Sequence, residues 1–168
     1  METKIIFLFG ILESKLKRNN PVKCFAEHKA AVRALAWSPL NFGILISGGG
    51  NNDKTIKFWN LNEDFSTATI PTNSQVCNLV FSKHSNEFLS THGYSDNCIM
   101  VWNSDKKERV AILDGHQTRV LHLAISPDGE NVASCAADET LKFWKVFPRD
   151  TTMEEETPTM INSFLELR

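Results

Sequence analysis

The 168-residue chain has no excess of either charge. Its 18 Lys and Arg stand against 20 Asp and Glu, a net charge of −2. Nucleic-acid binding through bulk positive charge is thereby excluded, although a local patch is not. A long apolar run is also missing. The longest, Ile5–Leu12, is broken by Gly10 and falls far short of the ~20 residues of a membrane helix. Lys4 before it gives a faint likeness to a secretory signal. The charged stretch Glu13–Arg18 follows instead of a small-residue cleavage site, so the run reads as a core strand. No membrane partner is expected. The four cysteines, Cys24, Cys77, Cys98 and Cys135, include no Cys-x-x-Cys pair, which excludes a zinc ribbon or redox pair. They read as reduced, small hydrophobes, and the compartment as nucleus and cytoplasm. No Gly-x-Ser-x-Gly, zinc-ligand spacing or paired-carboxylate run occurs. His84, His92 and His122 stand near no evident nucleophile, so no catalytic residue, metal or cofactor is expected. No apolar period of 3.6 is sustained before the tail, which excludes a helical protein.

What the chain does have is aromatic and apolar material in a fixed period. Hydrophobic residues make up 42%, with eleven Phe and four Trp, enough for a packed core. Three strands end in Trp: Thr55–Trp59, Cys98–Trp102 and Thr140–Trp144. Asp53, Asp96 and Asp138 stand at one fixed distance before these tryptophans. Upstream, alternating strands start at Val32, Val76 and Val120, and each runs into a turn. Middle strands are expected at 43–47, 87–91 and 130–135. Fourth segments are expected at 22–26, around 65–70, and at 108–113. Short alternating strands between turn residues form antiparallel meanders, so the fold is all-β.

A repeat of about 43 residues with a terminal Trp resembles the WD-repeat blade of a β-propeller, over residues 22–147. Glu27-His28 and Gly115-His116 stand where that repeat has Gly-His, and Ser47, Ser90 and Ser134 match its middle-strand hydroxyl. The resemblance implies a hydrogen-bonded set of His28, Ser47, Asp53 and Trp59 in the first blade. In the third it implies His116, Ser134, Asp138 and Trp144. The middle blade has Ser90, Asp96 and Trp102, but Asn73 at the His position, so its set is expected to be incomplete. Such polar groups are structural, since burial is tolerable only for paired groups. Closed propellers typically have about four to eight blades. Three blades are therefore expected to be part of a seven-bladed ring, with residues 1–21 a poorly matched segment, either a remnant of a preceding blade or a wrong start. The rival is two copies closing a six-bladed ring.

Several runs resemble one family more closely. Glu27–Val32, Ser47–Gly50, Ser74–Leu79, Ser90–Ser95 and Ala137–Leu141 stand in the order found in the Fizzy and Fizzy-related activators of the anaphase-promoting complex. Ser82–Glu87 and Ser-Thr-His-Gly-Tyr at Ser90–Tyr94 favour the Fizzy-related branch. The resemblance implies a substrate-recognition adaptor of a ubiquitin ligase, binding degron-bearing cell-cycle proteins. Gln75 and Arg119, each just before an inner strand, match the residues that hold the KEN degron. Glu139 matches the acid that receives the Arg of the destruction box, whose remaining pocket belongs to a first blade not expected in this chain. Residues 148–168 read as an acidic flexible linker and docking tail. Its end, Leu167-Arg168, resembles the Ile-Arg tail that docks on a helical-repeat subunit of the complex. Thr157-Pro158 reads as a possible proline-directed phosphosite. The competing expectation is a generic WD-repeat scaffold for protein or RNA assemblies.

Overall fold

The computed structural model describes residues 5–7, 23–148 and 159–166. Among these there is no helix. β1 (Ile5–Phe7) pairs antiparallel with β2 (Lys23–Phe25) in a small sheet of its own. Three four-stranded antiparallel sheets follow. The first is β3 (Val32–Trp37), β4 (Ile44–Gly49), β5 (Thr55–Asn60) and β6 (Ser66–Pro71). The second is β7 (Val76–Phe81), β8 (Glu87–His92), β9 (Ile99–Asn103) and β10 (Glu108–Leu113). The third is β11 (Val120–Ile125), β12 (Asn131–Ala136), β13 (Thr140–Lys145) and β14 (Thr159–Glu166).

Each sheet is a meander in chain order, because two to a few turn residues are enough to reverse an antiparallel strand. The expected inner strands begin where the sequence put them. The structure adds a strand in the tail: Thr159–Glu166 closes the third sheet by pairing with β13, where the sequence reading had only linker and docking segment. Leu167 and Arg168 lie outside the described residues, as do Thr157 and Pro158.

The sheets stack face to face through apolar side chains. Ile46, Ile56 and Phe58 of the first meet Val76, Leu79, Phe88, Met100 and Trp102 of the second. Phe58 and Phe88 meet edge to face at 5.7 Å. The other side of the second sheet, Leu89, Ile99 and Val101, packs against Val120, Val132 and Trp144 of the third. Phe25 of β2 stacks on Trp59 at 4.5 Å, which covers part of the first sheet's outer side. Burying each such large apolar side chain contributes about 1.5–3 kcal/mol. β3, β7 and β11 lie side by side, so the start of each inner strand comes to one end of a common hub. This is the radial order of propeller blades.

The glycines at 48–50 are set by packing. The sequence ends the middle strand at Ser47, but β4 continues through Gly49. A Cβ on Gly48 would come within 2.4 Å of Val76 Cγ1, in the neighbouring blade. One on Gly50 would come within 2.8 Å of the Ala31 carbonyl. Side chains are excluded so that β4 can approach β7 closely.

Candidate functional site

Inside the first and third blades the expected polar sets are formed. Trp59 Nε1 donates to Ser47 Oγ at 2.7 Å, and Ser47 Oγ lies 2.6 Å from His28 Nε2. With its oxygen accepting from Trp59, the Ser47 hydroxyl donates to Nε2. That leaves the proton of His28 on Nδ1, which faces Asp53. Asp53 also accepts from the Lys29 amide at 3.2 Å and the Thr55 hydroxyl at 2.8 Å. The third blade repeats the arrangement. Trp144 Nε1 donates to Ser134 at 2.8 Å, Ser134 lies 2.8 Å from His116 Nε2, and His116 Nδ1 lies 3.1 Å from Asp138. Asp138 further accepts from Thr140 Oγ1 and from the Gln117 amide.

The middle blade corrects the expectation of an incomplete set. Trp102 Nε1 donates to Ser90 Oγ at 2.6 Å, and Ser90 lies 2.7 Å from His92 Nε2. His92 Nδ1 faces Ser74 Oγ at 3.2 Å, and Ser74 donates to Asp96 at 2.9 Å. The imidazole missing at Asn73 is supplied by His92 from the end of β8, and Ser74 spans the remaining gap to Asp96. The relay Trp–Ser–His–Ser–Asp is one hydroxyl longer than its neighbours and fully directional. His92 therefore belongs to the blade's framework. The signal was in the sequence: Ser90 and His92 are two apart on one strand and so share a face.

The electrostatics agree with neutral imidazoles. Burial holds His92 down to about 4, against the attraction of Asp96. It also lowers His28 and His116, opposed in each case by the hydrogen-bonded aspartate. Burial alone would raise Asp53 and Asp138, but hydrogen bonds outweigh it and hold both below the usual carboxylate range. Cys98 is pushed up to about 12, by burial first and then by Asp114 and Asp96, which makes it an inert core thiol. Among the described residues no group of three His, Cys, Asp or Glu side chains could hold a metal ion.

The candidate binding residues lie elsewhere, at the ends of the inner strands and in the turns beside them. Ala31 and Arg119 are exposed and Gln75 is half-buried, each immediately before β3, β11 and β7 respectively. The Gln75 carbonyl accepts from the Gly93 amide at 2.9 Å, which ties the start of β7 to the end of β8. Since β7 neighbours both β3 and β11, Gln75 and Arg119 are brought to one end of the hub. Glu139 stands apart, exposed in the turn between β12 and β13, with φ 62°. Its equivalents in the first and second blades, Lys54 and Asn97, have φ 53° and 49°. All three turns thus place the residue after the blade aspartate in the left-handed region. There a non-glycine residue is uncommon.

Comparison with known proteins fits this geometry. The family model "WD domain, G-beta repeat" matches residues 19–60, 65–103 and 107–145. The chain is 51% identical to Protein FIZZY-RELATED 1 of Arabidopsis thaliana over 86% of its length and 30% of that protein's. It is 50% identical to the WD repeat-containing protein srw1 of Schizosaccharomyces pombe over 86% of its length and 26% of that protein's. It is 42% identical to the APC/C activator protein CDH1 of Saccharomyces cerevisiae, over 89% of its length and 26% of that protein's. The chain thus spans less than a third of the length of these relatives. A chain in the crystal structure of the mitotic checkpoint complex superimposes with a TM-score of 0.73 at 41% identity, covering 76% of this chain and 40% of that one. With three matched repeats and three stacked four-stranded blades, the chain belongs to the WD-repeat family, in repeats similar to those of the Fizzy-related proteins.

Proposed function

We propose that the chain is a degron-recognition module of the anaphase-promoting-complex activator type, which binds short linear signals and performs no bond chemistry. The observation that carries this is the placement of Gln75 and Arg119 at neighbouring inner-strand starts, in repeats 51% identical to a Fizzy-related protein. A carboxamide both donates and accepts, which suits an Asn side chain or a peptide backbone. A guanidinium pairs with a Glu carboxylate through two hydrogen bonds. Together they suit the Glu-Asn of a Lys-Glu-Asn motif. Glu139, exposed on a turn with φ 62°, offers a carboxylate to the arginine of a destruction box. The Leu167-Arg168 end is the segment proposed to dock on a helical-repeat subunit of the complex. The module then acts by raising the local concentration of a degron near the ligase.

The test is fluorescence anisotropy of a labelled Lys-Glu-Asn peptide with the 168-residue chain. Arg119→Ala is expected to weaken binding by about tenfold or more, as does loss of a charge-assisted pair at a small interface. Unchanged affinity in both Arg119→Ala and Gln75→Ala would remove the assignment and leave a generic WD-repeat scaffold.

A further inference from the structure

The turn between β8 and β9 lies between the two residues assigned to the Lys-Glu-Asn motif. Its first residue, Gly93, donates its amide to the Gln75 carbonyl at 2.9 Å. A Cβ on Gly93 would lie 3.5 Å from Gln75 Cβ, so the turn starts directly against that residue. Its last residue, Asn97, donates Nδ2 to the Gln117 carbonyl at 3.2 Å, two residues before Arg119. The turn is closed from within, because the Gly93 carbonyl accepts from the Asp96 and Asn97 amides at 3.1 and 3.0 Å. It thus bridges the start of β7 to the segment leading into β11.

Tyr94 and Ser95 stand between Gly93 and the blade aspartate. The first blade has Asn51 and Asn52 there, and in the third Asp138 follows Ala137 directly. Tyr94 is the only tyrosine of the chain and is 77% exposed. Among the described residues its side chain has no hydrogen bond, ion pair or ring contact. One exposed apolar side chain is ordinary by itself. An aromatic ring carried on a closed turn, tied at one end to Gln75 and at the other beside Arg119, is placed to touch whatever those two residues hold. Tyrosine gives a large contact area for little lost rotamer freedom, which is why it recurs as an anchor in recognition surfaces.

We propose that Tyr94 is a specificity-determining residue of the hub site, whose ring packs against an apolar side chain of the peptide just after the motif asparagine. Resting on the assignment of Gln75 and Arg119 as the Lys-Glu-Asn contacts, this role adds a preference that two polar groups do not give. The direction follows from the turn. Tyr94 adjoins Gly93, at the end tied to Gln75, and Gln75 takes the asparagine. Arg119, at the Asn97 end, takes the glutamate.

The experiment is fluorescence anisotropy with the full 168-residue chain and labelled Lys-Glu-Asn peptides. Each carries a single Leu, or Ser as control, at the first or second position after the Asn, or at the position before the Lys. At one of the two positions after the Asn, Leu is expected to bind about fivefold more tightly than Ser, as partial burial of an apolar side chain gives. Before the Lys no such difference is expected. The preference persists as salt rises, whereas pairing with Arg119 weakens. Tyr94→Ser is expected to abolish the preference and Tyr94→Phe to keep it, because the ring and not the hydroxyl makes the contact. Unchanged urea midpoints for both variants confirm that folding is intact. The inference fails, and the Lys-Glu-Asn assignment stands, if the preference survives in Tyr94→Ser, is lost in Tyr94→Phe or falls before the Lys. It fails in the same way if a wild-type chain that depends on Arg119 shows no preference. If no peptide binds the wild-type chain, the assignment itself fails and takes this inference with it.

Discussion

At the scale of single residues, the polar groups of this chain divide between framework and surface. Three histidines that look available for chemistry are spent on holding strands together. His92 is the clearest case. Its ring is fully enclosed, both nitrogens face serines, and removing it leaves Ser90 and Ser74 short of partners. His92→Ala is expected to cost about 1–3 kcal/mol of unfolding free energy, by urea denaturation. His84→Ala, which removes only an exposed bond to the Asp128 carbonyl, is expected to cost less than about 1 kcal/mol. Equal losses would overturn the relay. The pH dependence follows from the same burial. The unfolded His92 takes up its proton near 6.5 and the folded one only near 4. Between those values the unfolded state binds more protons, so stability falls as pH drops from about 7 to 4. His92 alone accounts for about 3 kcal/mol of that loss, and His92→Gln should flatten the slope by a comparable amount. The resemblance to a WD repeat implied the outer blades' sets, because the positions of its His and terminal Trp are local and periodic. It missed the middle set because Ser74 and His92 each moved to a new place while the network they complete stayed the same. Spacing records positions along the chain, whereas the network depends on which positions meet.

At the scale of elements, strand order was legible and strand ends were not. The alternation beginning at Val32, Val76 and Val120 marked the starts of the inner strands to the residue. The end of β4 was misplaced by two residues, because glycines read as a loop unless the neighbouring blade is in view. Gly48→Ala tests that reason. The added methyl meets Val76, a branched side chain in a filled core, and is expected to destabilise the chain by about 1–3 kcal/mol. Gly93→Ala, whose new Cβ would sit at ordinary contact distances, is the control and should cost less in the same denaturation series. The turns after each blade aspartate obey a different rule. Glu139 occupies the left-handed region at φ 62°, where Asn97 of the preceding blade is better suited. Glu139→Asn is therefore expected to raise stability by about 0.5 kcal/mol while removing the carboxylate proposed to receive an arginine. A thermal melt showing a loss would mean that the Glu139 side chain supports the turn. A gain in stability would show that the glutamate is kept at a strained position for something other than folding. The tail strand β14 was not legible at all: its pairing with β13 spans an acidic segment, and its apolar residues Ile161, Phe164 and Leu165 read equally as a docking cluster.

At the scale of the whole molecule, the three blades are unequally covered, and this decides where the chain is firm. The second sheet is packed on both faces, and β8 and β9 are almost wholly buried. The first and third sheets each present a face with no such partner among the described residues. Leu35 and Trp37 of β3 are about half exposed, at 52% and 47%, on the side shared with Leu45 and Ser47. In the third sheet Leu141 and Phe143 are half-buried, although their equivalents in the first, Ile56 and Phe58, are enclosed. Apolar positions that are enclosed in one blade and less covered at the equivalent place in another mark the faces that further blades would cover. Local opening follows coverage, because few buried contacts mean a small free energy for exposing the backbone. In amide hydrogen exchange on the isolated chain, β8 and β9 are expected to be the most protected, with β3 and β11 exchanging at least about tenfold faster, a difference of about 1.4 kcal/mol in opening. Sedimentation run in parallel identifies what covers the open faces. A monomer with this gradient is an open arc of blades. A dimer in which β3 and β11 become as protected as β8 is two copies closed face to face, and the expectation of an open arc would then be wrong.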